Sequence, residues 1–252
     1  MENPKEAYIM LIDQYAECII GAINTIRREE AGKLLRAAEM VADTLARDGL
    51  IYVFGCGHSH ILAEETFYRA GGLACVAPML YPPLMLHEGA AESSRLERQP
   101  GLAEKVLGQY PISREDMLFC LSTSGINPVP VELAQAVRDR GIATVAICSG
   151  AYLDQPSRCA DGKHLYEAAD LWIDNQAPHG DACLLPEGSA LKTTPLSTIT
   201  GAFILNSVLA EGTRLALARG VDVPVYLSGN IPGGAERNEA LIRRFSPRIR
   251  HL

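Results

Sequence analysis

Two stretches carry the residue types most able to do chemistry. One is Leu50-Ile51-Tyr52-Val53-Phe54-Gly55-Cys56-Gly57-His58-Ser59-His60; the other is Asp116-Met117-Leu118-Phe119-Cys120-Leu121-Ser122-Thr123-Ser124-Gly125. Each is a short apolar run that ends abruptly in glycine and hydroxyl residues, and each is followed by a segment that reads as a helix. A buried strand that breaks into such a turn and opens a helix makes an anion site. Glycines let the backbone approach the ligand, and free N–H groups with the helix dipole favour negative charge. Serine and threonine hydroxyls add donors for phosphate oxygens. Two such turns in one parallel sheet point to a ligand with one phosphate and several hydroxyls. Gly55, Cys56, Gly57, His58, Ser59 and His60 are candidate ligand contacts from the first turn. Ser122, Thr123, Ser124, Gly125 and Asn127 are candidates from the second.

Other anion motifs fit poorly. Gly55-Cys56-Gly57 lacks the third small residue of a dinucleotide fingerprint, because position 60 is His60. The second apolar run ends in Pro78, where a ribose-binding acid is wanted. No G-x-x-x-x-G-K-[ST] occurs, so a P-loop is excluded. His58 and His60, two apart on a turn with no third ligand nearby, do not make a metal site. No metal or cofactor is expected.

The elements that must position these turns alternate. Strand candidates are Leu50–Phe54, Leu73–Ala77, Met117–Leu121, Ile142–Cys148, Leu171–Asp174 and Val225–Leu227. They are nearly continuous apolar runs, the pattern of a parallel sheet buried on both faces. Helices are expected over His60–Ala70, over Val129–Arg140 and over Ser197–Arg219, the last apolar on most sides. Ahead of the first strand, Ile12, Tyr15, Ile19, Ile23 and Ile26 follow helical spacing, as do Leu34, Ala38, Val41 and Leu45. Residues 1–48 are therefore read as N-terminal helices lying on the core or on a partner subunit, and 49–252 as one α/β domain. Alternating βα units predict a three-layer, doubly wound sheet with its site at the strand carboxyl ends. Pro78–Pro100, Ala151–Lys163 and Gln176–Pro195 read as long loops, which are often functional.

A chain of 252 residues that is 48% hydrophobic can bury a sizeable core. Its formal net charge of −7, without a basic run, makes nucleic acid and anionic membranes poor partners. Seven cysteines without a CxxC read as reduced thiols in a cytoplasmic protein. The polar opening Met1–Glu6 does not read as a signal peptide, and no apolar stretch reaches the ~18 residues of a membrane span.

The unit of strand, Ser122-Thr123-Ser124-Gly125, helix, Gly141 and strand resembles the signature of the sugar isomerase (SIS) domain, found in phosphoheptose isomerase, glucosamine-6-phosphate synthase and the N-acetylmuramic acid 6-phosphate etherases. The resemblance runs from about Leu50 to Leu227. Gly55–His60 with Phe67–Gly72, and Ala169–Asn175 with Gly180-Asp181-Ala182, are similar to a bacterial SIS family labelled phosphosugar isomerases by analogy. It implies a flavodoxin-like fold, a homodimer, and a phosphorylated sugar whose phosphate is cradled by Ser122, Thr123 and Ser124. It also implies aldose–ketose isomerisation, with an etherase-like lyase or a non-catalytic phosphosugar sensor as alternatives.

Isomerisation needs a base that moves a proton between neighbouring carbons. Glu65 follows the first turn and is one candidate, although Arg69 at i+4 offers it a salt bridge. Phosphoheptose isomerases and the etherases place their helix glutamate about one turn further on, where this chain has Arg69. Glu88, in Glu88-Gly89-Ala90-Ala91-Glu92, resembles the etherases' E-G-A-E-D stretch with one residue inserted. His179 lies in a Gly/Asp loop where phosphoheptose isomerases also carry a histidine. Ser197 and Thr198 either cap the buried helix or complete the phosphate shell.

Overall fold

The computed structural model describes residues 10–252, so the opening Met1–Glu6 lies outside the described residues. Two helices come first, α1 (Leu11–Glu29) and α2 (Ala31–Ala46). The alternation then runs β1 (Ile51–Gly55), α3 (His60–Thr66), β2 (Val76–Met79), α4 (Ala90–Leu96), α5 (Leu102–Leu107), β3 (Met117–Leu121), α6 (Pro128–Asp139), β4 (Ala143–Cys148), α7 (Leu165–Ala168) and β5 (Leu171–Asp174). A hairpin of β6 (Ala182–Leu184) and β7 (Thr193–Pro195) leads into α8 (Ser197–Ala218) and α9 (Gly234–Phe245).

β1 to β5 form one parallel sheet in the order β2-β1-β3-β4-β5. Every residue of β1, β2 and β3 is buried, as continuous apolar runs require when helices cover both faces. α2, α3 and α8 pack together, and α5, α6 and α7 pack together, with the sheet touched by both sets. The expected three-layer, doubly wound fold is observed. Its order places the topological switch at β1, whose neighbours β2 and β3 lie on opposite sides. Pro78 costs nothing in β2, because β2 is an edge strand whose missing N–H leaves no ladder bond unmade.

Three sequence expectations shift. The Val225–Leu227 run is not a sheet strand. Leu73 and Val225 form one antiparallel bridge, with Gly71 N–H donating to Tyr226 O at 2.8 Å, Ala74 N–H to Pro224 O at 2.7 Å and Tyr226 N–H to Gly72 O at 3.0 Å. These bonds consume residues 71–74, so β2 starts at Val76 rather than at Leu73. For the same reason the helix expected to reach Ala70 stops at Thr66. Phe67 is extended, and Tyr68 turns to a φ of 43° to lay its ring edge-on against Tyr226.

α2 and α8 form the closest helix pair, and Gly212 makes that approach possible. A Cβ there would lie 2.4 Å from a Val41 methyl and 3.0 Å from Ala38 O. Gly21, on α1, would place its Cβ in open space. The two alanine substitutions should therefore act in opposite directions. Gly21→Ala is expected to stabilise by about 0.5–1 kcal/mol through helix propensity. Gly212→Ala should lose about 1–3 kcal/mol to overpacking. Urea midpoints for the two variants against the parent chain check this.

Candidate functional site

The two glycine- and hydroxyl-bearing turns lie side by side where β1 and β3 end, at the switch point where open α/β sheets bind ligands. After β1, Gly55 meets the first turn so closely that a Cβ would fall 2.6 Å from the Ser59 carbonyl carbon. Only glycine lets the Gly57–Ser59 helical turn fold back onto the strand end. Between the turns opens a cleft of about 350 Å³, lined by Cys56, Gly57, His58, Ser59, Ser122, Thr123, Ser124, Asn127, Ser197 and Thr198 among others. That volume suits a small-molecule ligand. Deeper in, Ser122 and Thr123 face His58, Ser59 and Asn175.

Most helix-end donors beside this cleft are missing or already spent. α6 begins Pro128-Val129-Pro130, so two of its first three residues have no N–H. The third, Val129, donates to Glu97 O at 3.2 Å. α8 is closed in another way. Asp181 Oδ1 accepts from the amides of Leu196 (3.1 Å) and Ser197 (2.8 Å), and Ser197 Oγ donates to Asp181 Oδ2 at 2.6 Å. A carboxylate thus already sits at the positive end of a 22-residue helix. Ser197 is part of this cap, with Asp181 as the acceptor. Among the described residues, by contrast, none accepts from the amides or hydroxyls of Thr123 and Ser124. Ser122 is buried, and its Oγ accepts from Gly125 N–H at 3.3 Å, holding the turn closed. An anion at this turn meets loop amides and hydroxyls.

The other expected contacts divide. His58 lines the cleft, whereas His60 is buried, with Nδ1 against Gly57 O and Nε2 3.4 Å from Glu64. Cys56 lines the cleft as a neutral thiol, because burial pushes its pKa well above the ordinary value. Glu65 is ion-paired to Arg69, the partner the i+4 spacing offers. Glu88 is exposed beside His87, 3.8 Å away. His179 is exposed and stacks on Tyr152 with ring centroids 4.7 Å apart. None of these last three lines the cleft of this chain.

A carboxylate that sequence reasoning missed does. Glu97 follows α4 and lines the cleft opposite the Ser122–Ser124 turn. Its Oε1 accepts from Asn127 Nδ2 at 2.7 Å, and Asn127 Oδ1 accepts from Arg158 Nη1 at 2.5 Å. Burial raises the Glu97 pKa, against the Asn127 hydrogen bond and the nearby charges of Arg98 and Arg158. Cleft geometry plus a carboxyl held above its usual range is the profile of an acid–base group. Asp181, the other cleft carboxylate, spends both oxygens on α8. Among the described residues no three His, Cys, Asp or Glu side chains converge as a metal site, and no helix is long and apolar enough to cross a membrane.

The model of the SIS domain matches residues 14–149. The chain is 46% identical over 240 residues to a UPF0309 protein of Geobacillus thermodenitrificans, spanning 95% of this chain and 96% of that one. It is 45% identical over 240 residues to another of Geobacillus kaustophilus, again 95% and 96%. Their name states no activity. Among solved structures, phosphoheptose isomerase from Neisseria gonorrhoeae is similar in fold, with a TM-score of 0.50 and 15% identity over 82% of this chain and 98% of that one.

Glu97 makes a prediction that needs no ligand. Its folded pKa lies above the unfolded value, so between the two values the native state binds the extra proton and stability falls as pH rises. Glu97→Gln keeps an acceptor for Asn127 but cannot ionise. The stability of the parent relative to this variant should therefore fall with rising pH and level off above the folded pKa. Urea titrations of both proteins from acid to neutral pH check the sign.

Proposed function

The chain belongs to the SIS-domain family, and on that premise we propose that its cleft binds a phosphorylated sugar and interconverts its aldose and ketose forms by proton transfer. The observation that carries this reading is the pairing, in one cleft, of unspent donors at Thr123 and Ser124 with the half-buried carboxyl of Glu97, whose pKa desolvation raises. The phosphate takes the amides and hydroxyls of Thr123 and Ser124, with the hydroxyl of Ser122 beside them; the Ser122 amide is spent on Ile147 O at 3.1 Å. His58, Ser59 and Thr198 are left for the sugar hydroxyls.

Glu97 is then the group that moves the proton. As a carboxylate it abstracts the hydrogen on the carbon next to the carbonyl. Loss of that hydrogen leaves an enediolate, the hydroxyl proton passes between its two adjacent oxygens, and the Glu97 carboxyl returns its own proton to the neighbouring carbon. A raised pKa brings the two states closer in energy near neutral pH, which is what alternating base and acid duty requires. Asn127 fixes the direction of Oε1 and leaves Oε2 for the substrate. Glu65, Glu88 and His179 stay in the proposal as candidates to be tested beside Glu97.

The test joins binding to chemistry. Thermal shifts are measured against pentose, hexose and heptose phosphates, each paired with its unphosphorylated sugar. Stabilisers are then incubated with the protein in D2O, and exchange at the carbons flanking the carbonyl is followed by NMR. Stabilisation that requires the phosphate and is lost in Thr123→Val/Ser124→Ala is expected, approaching about 2.7 kcal/mol at a hundredfold excess over Kd. Exchange should fall by about 10²–10⁴ in Glu97→Gln with binding retained; Glu65→Gln, Glu88→Gln and His179→Asn are compared alongside. Binding without exchange in the parent chain would make this a sensor, and no stabilisation by any phosphosugar would end the reading.

The proposal includes a homodimer. Leu11, Ile12 and Ile20 on α1 and Leu35 on α2 are exposed, and an apolar groove of about 480 Å³ runs beside Leu34, Leu35 and Phe203. A second copy of this chain is the occupant that would bury them. Sedimentation velocity is expected to give the dimer mass, and Ile12→Glu/Ile20→Glu to give the monomer. A monomeric parent chain would remove this part of the proposal.

A further inference from the structure

Seven cysteines are free. Cys159 is partly exposed on the 151–163 loop, and the other six fall into two classes. Cys56, Cys75, Cys120 and Cys148 are buried, and burial raises the pKa of each. They are inert packing groups. Cys18 and Cys183 differ. They are 165 residues apart in sequence, yet the fold sets them side by side, and the two thiols interact electrostatically. Cys18 Sγ also lies 4.0 Å from the Cys183 carbonyl oxygen, and Cys183 Sγ donates to Thr194 O across the hairpin at 3.1 Å. Both residues are partly exposed, so a small reagent can reach them.

The elements they join give the contact a consequence. Cys18 stands near the middle of α1, and Cys183 at the centre of β6. The same helix reaches the hairpin again through Tyr15, whose hydroxyl donates to Pro195 O at 2.8 Å. The hairpin's two ends are walls of the cleft: Asp181 leads into β6, and Pro195, Ser197 and Thr198 lie at or after the end of β7.

We propose that Cys18 and Cys183 are a thiol–disulfide modification site, converted by low-molecular-weight disulfides of the glutathione class into an intrachain bond that staples α1 to the cleft-bearing hairpin. One thiolate attacks the reagent disulfide, forming a mixed disulfide and releasing one reagent thiol. The second thiolate then displaces the remaining reagent thiol and closes the Cys18–Cys183 bond. Two protein thiols and one reagent disulfide give one protein disulfide and two reagent thiols, so electrons and protons balance without a further oxidant. Burial and the neighbouring Cys18 push the Cys183 pKa up, so the exchange accelerates as pH rises. Excess reduced thiol reverses it. The cross-link closes a long loop in the unfolded chain, so the oxidised protein melts higher.

The experiment equilibrates the full chain in oxidised and reduced glutathione at graded ratios, blocks free thiols and maps peptides by mass spectrometry without reduction. The expected result is a peptide pair linking Cys18 to Cys183 and lacking two hydrogens, formed at ratios that leave Cys56, Cys75, Cys120 and Cys148 unmodified. The melting temperature should rise with it, revert on reduction, and not move in Cys18→Ser or Cys183→Ser. Oxidation at other cysteines first, glutathione adducts at Cys18 or Cys183 that never resolve, or a bond joining two chains on a non-reducing gel would each overturn the proposal. The readout needs no sugar ligand, so it stands or falls apart from the phosphosugar reading.

Discussion

Asp181 accepts three hydrogen bonds at the head of α8, and much of the cleft follows from where it puts its negative charge. A helix of 22 residues, buried along one side, must satisfy its first amides and its dipole with something. Here a side chain at the entrance to β6 does both, which pins the hairpin to the helix and brings Pro195, Ser197 and Thr198 to the cleft wall. The charge also disqualifies the α8 terminus as an anion site, because a phosphate there would face a carboxylate. α6 is disqualified by its prolines. At the carboxyl end of β3 the unspent donors are therefore those of Thr123 and Ser124, on the turn rather than on the helix that follows.

The opposite wall is governed by a balance at Glu97. Burial disfavours its charge, while Asn127, Arg98 and Arg158 favour it, and burial wins. The relay Arg158–Asn127–Glu97 fixes the amide as well as the carboxyl. Asn127 must accept from Arg158 and donate to Glu97, which leaves its side chain one orientation. Arg158 is itself held by its amide, which donates to Ile126 O at 2.9 Å. Three residues from separate loops are therefore aligned by hydrogen bonds that need each other's geometry, the kind of support that keeps a reacting group in place.

The parts legible in the sequence are those set by local pattern. Continuous apolar runs fixed the parallel sheet and its buried strands, and the Gly/Ser turns placed the cleft at their carboxyl ends. Arg69 at i+4 from Glu65 already offered the ion pair that the structure shows. Glu97 was not legible. It lies in Glu97-Arg98-Gln99, a polar run within the stretch Pro78–Pro100 that reads as loop, and nothing local marks it as buried. Its burial comes from α4 and from the opening of α6, and Val129 donating to its carbonyl is a contact across 32 residues. The Val225–Leu227 run misled for a related reason. Its β-branched and aromatic residues satisfy strand propensity, but the segment 71–74 takes the hydrogen bonds of Tyr226, Asn238 those of Leu227, and Arg237 donates to Val225 O.

Pro128 and Pro130 show why composition can indicate the right site through the wrong atoms. Read as helix-start signals, they place the head of α6 correctly behind the Ser122–Gly125 turn. Read as donor inventory, they remove the amides on which a helix-end phosphate site depends. The two readings agree on position and differ on mechanism, and the hydrogen-bond ledger decides between them. With Val129 spent on Glu97, the helix end supplies no N–H from its first three residues, and its field is the remaining contribution. Donors at this end of the cleft are therefore supplied by the turn's own amides and hydroxyls. That same Val129–Glu97 bond ties two walls of the cleft together: the backbone that closes the helix end also holds the residue whose carboxyl lines the cleft with the turn.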